Sequence, residues 1–192
     1  MRIASTDTAR PDPEGLQDFR TAVPAAGSGE PAGVGEPEFS MFAWWLLATQ
    51  GERLLAEGDP AQALVVAEHL NALALRPSHR THGVPPPQVA LLRAGALVQL
   101  DPPPSADDLQ AAQEALQAVG DNLLARGVRS GLWRVHIARG KLYRAQGQPE
   151  AAGTEFAAAR ALVDELAGNI PPGQLRSQFR ERALAQIEPA RG

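Results

Sequence analysis

The sequence predicts an all-α chain of stacked helical hairpins, and three observations carry that prediction. Gly51, Gly95 and Gly140 lie 44 and 45 residues apart, each in the middle of an apolar segment of helical character. A longer phrase also recurs: Trp44, Gly51, Gly58 and Ala63 are followed by Trp133, Gly140, Gly147 and Ala152, each 89 residues on. Self-similarity at a fixed period marks repeat architectures, in which each unit buries its apolar face against the next. Finally, apolar residues make up 44 % of the chain and aromatics only 5 %. Ala and Leu dominate the apolar set, which suits closely packed helices rather than strands.

Residues 1–38 read as a disordered tail. The first 37 hold five prolines and five glycines and few large apolar side chains, too little to offset the entropy of ordering. Met41, where helical sequence begins, is a candidate internal start. Residues 39–190 form the helical domain. Helix 1 spans about 39–57. Gly58 suits the left-handed position that closes a helix, Asp59 suits an N-cap, and Pro60 suits a first helical position. Helix 2 follows over about 60–75, with Leu64, Ala67, Leu70 and Leu73 along one face. Residues 76–84 form a loop. Helix 3 starts in Pro85-Pro86-Pro87 and runs to about Leu100, where Asp101-Pro102-Pro103-Pro104 breaks it. Ser105 caps helix 4, which runs to about Arg126 with an irregularity at Gly120. Helix 5 covers about 130–146. The turn Gly147-Gln148 leads into helix 6, about 149–167, and a last helix over about 172–187 covers the open end of the array.

The net charge of −4 is confined to the tail. Residues 1–40 carry seven acids and three arginines, so residues 41–192 are neutral overall. A neutral body gives no general reason to expect nucleic-acid or membrane binding. There is no cysteine, which excludes disulfides and thiolate chemistry and is compatible with a cytoplasmic protein. The longest apolar stretch, Met41–Ala48, is far short of the roughly 20 residues needed to span a bilayer.

Around the third glycine the residues match a known pattern. Gly140, Tyr143 and the turn at Gly147 are followed by Ala152, Phe156 and Ala159. Gly51, Leu54, Ala63 and Ala67 hold the same places in the first hairpin, and Gly95 and Val98 in the middle one. These segments resemble the tetratricopeptide motif. That resemblance implies a tetratricopeptide-like α-solenoid of three hairpins plus a C-terminal capping helix. Small residues would let the helices of a hairpin approach, and Tyr143 and Phe156 would fill the space between hairpins. The spacing exceeds the roughly 34 residues of the standard motif, and His136 and Arg139 stand where the family has large apolar residues. The run from Leu132 to Tyr143, with Phe156–Ala167 and Ile170…Phe179, is similar to the repeat region of large ATP-dependent bacterial regulators, the LuxR/MalT-type transcription factors and cyclase-linked relatives. Such regulators carry an NTPase domain, and many carry a helix-turn-helix domain. Neither signature occurs here, and the sole Gly-Lys pair, Gly140-Lys141, lies within a helix. The resemblance therefore implies a protein-interaction or effector-sensing module. The alternative is a detached fragment of such a regulator that acts only with its missing domains.

The chemistry-bearing residues point away from catalysis and cofactors. His79 and His82 form a close pair without a third ligand, a poor metal site. His69 reads as a partly buried, hydrogen-bonded histidine, and His136 as a packing or hairpin-interface residue. No serine lies in a nucleophile motif. The charge blocks are more specific. Six basic residues and no acid lie between Asn122 and Pro149, and five acids and no base between Asp101 and Asp121. Arg134, Lys141 and Arg144 share one side of helix 5, the side that lines the groove in tetratricopeptide hairpins. They are candidates for binding carboxylates of a peptide, or a phosphorylated ligand. The competing reading is that helix 5 packs beside acidic helix 4 and the charges compensate locally. A protein or peptide partner is expected, with self-association through Phe42, Trp44 and Trp45 of the first hairpin as a further possibility.

Overall fold

A computed structural model describes residues 41–74 and 84–187. All of these belong to one compact unit, Phe39–Gly192. The tail, the His79/His82 loop and the last five residues lie outside the described residues. The described residues form seven helices and no strand: α1 (Met41–Ala56), α2 (Pro60–Ala74), α3 (Pro87–Leu97), α4 (Ala106–Ala125), α5 (Leu132–Ala145), α6 (Pro149–Gly168) and α7 (Gln174–Ile187).

The turns form as their residues dictate. Gly58 and Gly147 adopt φ of 81° and 73°, a region open to glycine without a Cβ penalty. Each closes its helix with the same pair of bonds. Gly58 N–H donates to the Leu55 carbonyl and Asp59 N–H to that of Leu54; Gly147 and Gln148 donate likewise to Arg144 and Tyr143. This is the Schellman closure, which satisfies carbonyls otherwise left bare at a helix end. Asp59 Oδ1 then accepts from Gln62 N–H at 3.0 Å. Ser105 Oγ accepts from Asp108 N–H at 3.1 Å at the start of α4.

Two expectations are corrected. Helix 3 begins at Pro87, the last proline of the run, because Pro86 is held extended (φ −57°, ψ 142°) by the ring that follows it. It also ends at Leu97, three residues early. The irregularity expected at Gly120 is absent, and α4 runs unbroken through it. The neighbouring Leu116, Val119 and Leu123 are all buried, and their burial outweighs the roughly 1 kcal/mol a helical glycine costs.

Three successive cores hold the helices together. The first joins α1, α2 and α3 around Ala48, Ala63, Ala67, Leu70 and Leu92. The second joins α3, α4 and α5 around Ala94, Leu97, Leu116 and Leu142. The third joins α5, α6 and α7 around Trp133, Phe156, Val163 and Ile187. Helices α3 and α5 each contribute to two cores, so the odd-numbered helices touch in series, α1 on α3 and α3 on α5. Residues of α1, α3 and α5 come together on one side of these contacts.

The three repeated glycines make close contacts of different kinds. A Cβ on Gly140 would lie 2.6 Å from Phe156 Cε1, on the other helix of its own hairpin. A Cβ on Gly51 would lie 2.4 Å from Leu92 Cδ2 of α3, and one on Gly95 would lie 3.0 Å from Leu55 Cδ1 of α1. Thus Gly51 and Gly95 let α1 and α3 interlock, a leucine of each filling the space over the other's glycine. Among the other repeat positions, Ala63, Ala67, Ala152, Phe156 and Ala159 are buried, while Leu54 and Tyr143 are half-buried.

Candidate functional site

The surface shared by α1, α3 and α5 carries an open groove with a cavity volume of about 220 Å³. Its floor is Leu55 from α1, Leu91, Leu92 and Gly95 from α3, and Ile137 and Ala138 from α5; Gln186 of α7 borders it. Glu52 stands on the α1 side, and Arg134 and Lys141 on the α5 side. Two of the three predicted cations therefore line one groove. Arg144 does not line it. Its guanidinium lies over the Phe156 ring at 4.8 Å, yet remains near enough to repel Lys141. Arg134 lies over Trp133 at 5.2 Å; Trp133 itself is buried.

None of the three cations has a carboxylate partner among the described residues. Expected compensation by acidic α4 is not found for them. Other cations of the body do find acids: Arg93 meets Glu68 at 2.6 Å, Arg129 meets Glu165 at 3.0 Å, and Arg180 meets Asp164 at 2.7 Å. Lys141 is half-buried. Burial, and then the charge of Arg144, hold its ammonium below the ordinary lysine value.

A second polar cluster lies between α5 and α6. Glu155, 12 % exposed, accepts from Arg139 at 3.0 Å and pairs with His136 Nδ1 at 2.7 Å. One largely buried carboxylate on α6 thus serves both the histidine and the arginine of α5. Gln113 of α4 and Arg139 point toward the Tyr143 hydroxyl and hold it below the ordinary tyrosine value, against the opposing effect of burial. The Gln113 approach falls short of hydrogen-bond geometry, so both its amide atoms lie buried without a protein partner. A hollow of about 340 Å³ beside this cluster is bordered by Leu124, Leu132, His136 and the Arg129–Glu165 pair, whose charges already satisfy each other.

His69 is exposed rather than partly buried, and its neighbour Glu68 is the partner of Arg93. Among the described residues, no three His, Asp or Glu side chains converge as metal ligands, and no helix is long and apolar enough to cross a membrane. At the outer end of the array Trp45 is 63 % exposed and Leu46 50 % exposed, while Trp44 is half-buried against the first core. Trp45 stands two helical turns from Glu52 on the same flank of α1.

The residues sequence reasoning missed are Glu52, Leu91 and Gln186. Glu52 sits beside the repeated Gly51, but only the packing of α1 on α3 decides that it faces Lys141 across a groove. Compared with known proteins, the chain matches no family model, no curated protein and no solved structure.

Proposed function

We propose that residues 39–190 form a tetratricopeptide-like solenoid of three hairpins with α7 as its cap, and that this solenoid is a non-enzymatic interaction module. Its working surface is the groove across α1, α3 and α5, which takes a peptide, protein or small effector. It would serve a sensing role like that of the repeat regions in bacterial transcriptional regulators. The serial contact of the odd-numbered helices and the three linked cores support the solenoid. One observation carries the function: Arg134 and Lys141 line a largely apolar groove with no carboxylate of the described residues in ion-pair contact, the groove's own Glu52 included. Stable folds pair or solvate their charges. A half-buried, unpaired ammonium beside the half-buried Leu55 and Leu91 is better explained by an incoming anion than by folding.

The test is quantitative capture from bacterial lysate on three forms of the full chain: wild type, Arg134→Glu/Lys141→Glu, and Arg126→Glu. Arg126 is an exposed arginine at the end of α4, away from the groove. A partner retained by wild type and by Arg126→Glu but lost from the groove variant supports the proposal. Partners held equally by all three forms would refute it.

A further inference from the structure

From the groove's size and its charge polarity we infer that it recognises an acidic segment of a partner protein, carboxylates over α5 and an aliphatic side chain on the floor. This deepens the docking role proposed above and rests on it.

Size decides first between a small effector and a peptide. Pockets that enclose a small molecule run to roughly 300–1,000 Å³ and cover most of its surface. The groove offers about 220 Å³ and is open along its length. That room suits one or two side chains of a longer chain whose backbone stays outside. The floor is aliphatic and includes Leu55, Leu91 and Ile137, which calls for Leu, Ile or Val rather than a polar anchor.

Charge then sets the sign and the direction. Arg134 and Lys141 are seven residues apart on α5, two turns along one flank, a span of roughly 10 Å. Carboxylates at nearby positions of an extended or helical segment can reach both. The Lys141 ammonium is partly stripped of water and is pushed by Arg144 toward neutrality, and the opposite charge of an approaching carboxylate offsets both effects. Glu52 on the opposite side repels the same carboxylates, so the acidic part lies over α5 and an uncharged or basic part over α1. The exposed Trp45, two turns from Glu52 on the same flank of α1, offers that second part an apolar contact. Arg134 and Lys141 are unpaired although the body is not short of acids: Asp107, Glu114 and Asp121 are exposed on α4 and do not reach them.

A display library of short random linear peptides, selected on the immobilised full chain, tests the inference. Enrichment of Asp and Glu beside Leu, Ile or Val is expected. For such a peptide, Lys141→Glu should raise Kd about tenfold, and selection on Arg134→Glu/Lys141→Glu should enrich Lys and Arg instead. Circular dichroism and melting temperature establish that the variants fold. If charge reversal prevents folding, Lys141→Met takes its place, with the same weakening expected. Peptides enriched without acids, or unaffected by charge reversal, would overturn the acidic ligand and leave the docking role standing. No enrichment at all, or preferential retention of a random single-stranded oligonucleotide pool, would overturn both.

Discussion

Replacing Gly140 with alanine probes the close packing of α5 on α6. The added Cβ would meet three atoms of the Phe156 ring, at 2.6, 2.9 and 2.9 Å. A ring is rigid, and Phe156 is buried between α5, α6 and α7, so the helices must separate or the ring must leave its rotamer. Overpacking of this kind costs about 1–3 kcal/mol, against a gain of about 1 kcal/mol from replacing a helical glycine. The expected net effect is a loss of about 1 kcal/mol. Gly153 on α6 is the control, because a Cβ there meets nothing within 4 Å; Gly153→Ala should gain up to about 1 kcal/mol. The two variants should differ by about 2 kcal/mol, or roughly 4–8 °C in Tm for a domain of this size. Urea and thermal melts of both variants measure the difference. Phe156→Leu in the Gly140→Ala background should recover part of the loss, a coupling that a double-mutant cycle resolves. If Gly140→Ala is as stable as Gly153→Ala, the packing of α5 on α6 described above is wrong.

Three further perturbations read other parts of the structure. Glu155→Gln removes the charge that serves both His136 and Arg139; it should cost about 2–3 kcal/mol, visible as a lower urea midpoint. Gln113→Leu exchanges a buried amide without a protein partner for an apolar side chain, and should stabilise by roughly 1 kcal/mol in the same assay. Lys141 has its pKa lowered in the fold, so between the folded and the ordinary value the unfolded chain binds more protons and stability rises with pH. Below that window the protonated ammonium opposes folding. Lys141→Met should therefore melt at or above the wild-type temperature at neutral pH, and a stability gain of the wild type on moving to alkaline pH should shrink in the variant.

Much of the fold was legible because it rests on local signals. Gly58 followed by Asp59-Pro60, and Gly147 followed by Gln148-Pro149, announce a helix end and a helix start within three residues, and the bonds form there. What the sequence could not show is which way each helix turns toward its neighbours. Gly51, Gly95 and Gly140 share a register, yet two of them face a leucine of the next odd-numbered helix and one faces an aromatic ring of its own hairpin. Charge was similarly opaque. The basic block of α5 and the acidic block of α4 are adjacent in sequence, but Arg139 and His136 turn to Glu155 on α6, and Arg129 to Glu165. Arg134 and Lys141 are left facing the groove, where Glu52, 82 and 89 positions earlier in the chain, completes the polarity. Helix rotation is set by the summed packing of whole faces, and no single residue pair announces it.

The most direct measurement is chemical-shift perturbation on the ¹⁵N-labelled full chain, titrated with an acidic-aliphatic peptide recovered by selection. The largest shifts are predicted at the amides of Glu52, Gly95 and Lys141, on three different helices, and they should vanish in Lys141→Glu. Shifts confined instead to the α4–α6 side around His136, Ala158 and Glu165, with the groove amides unmoved, would contradict the account.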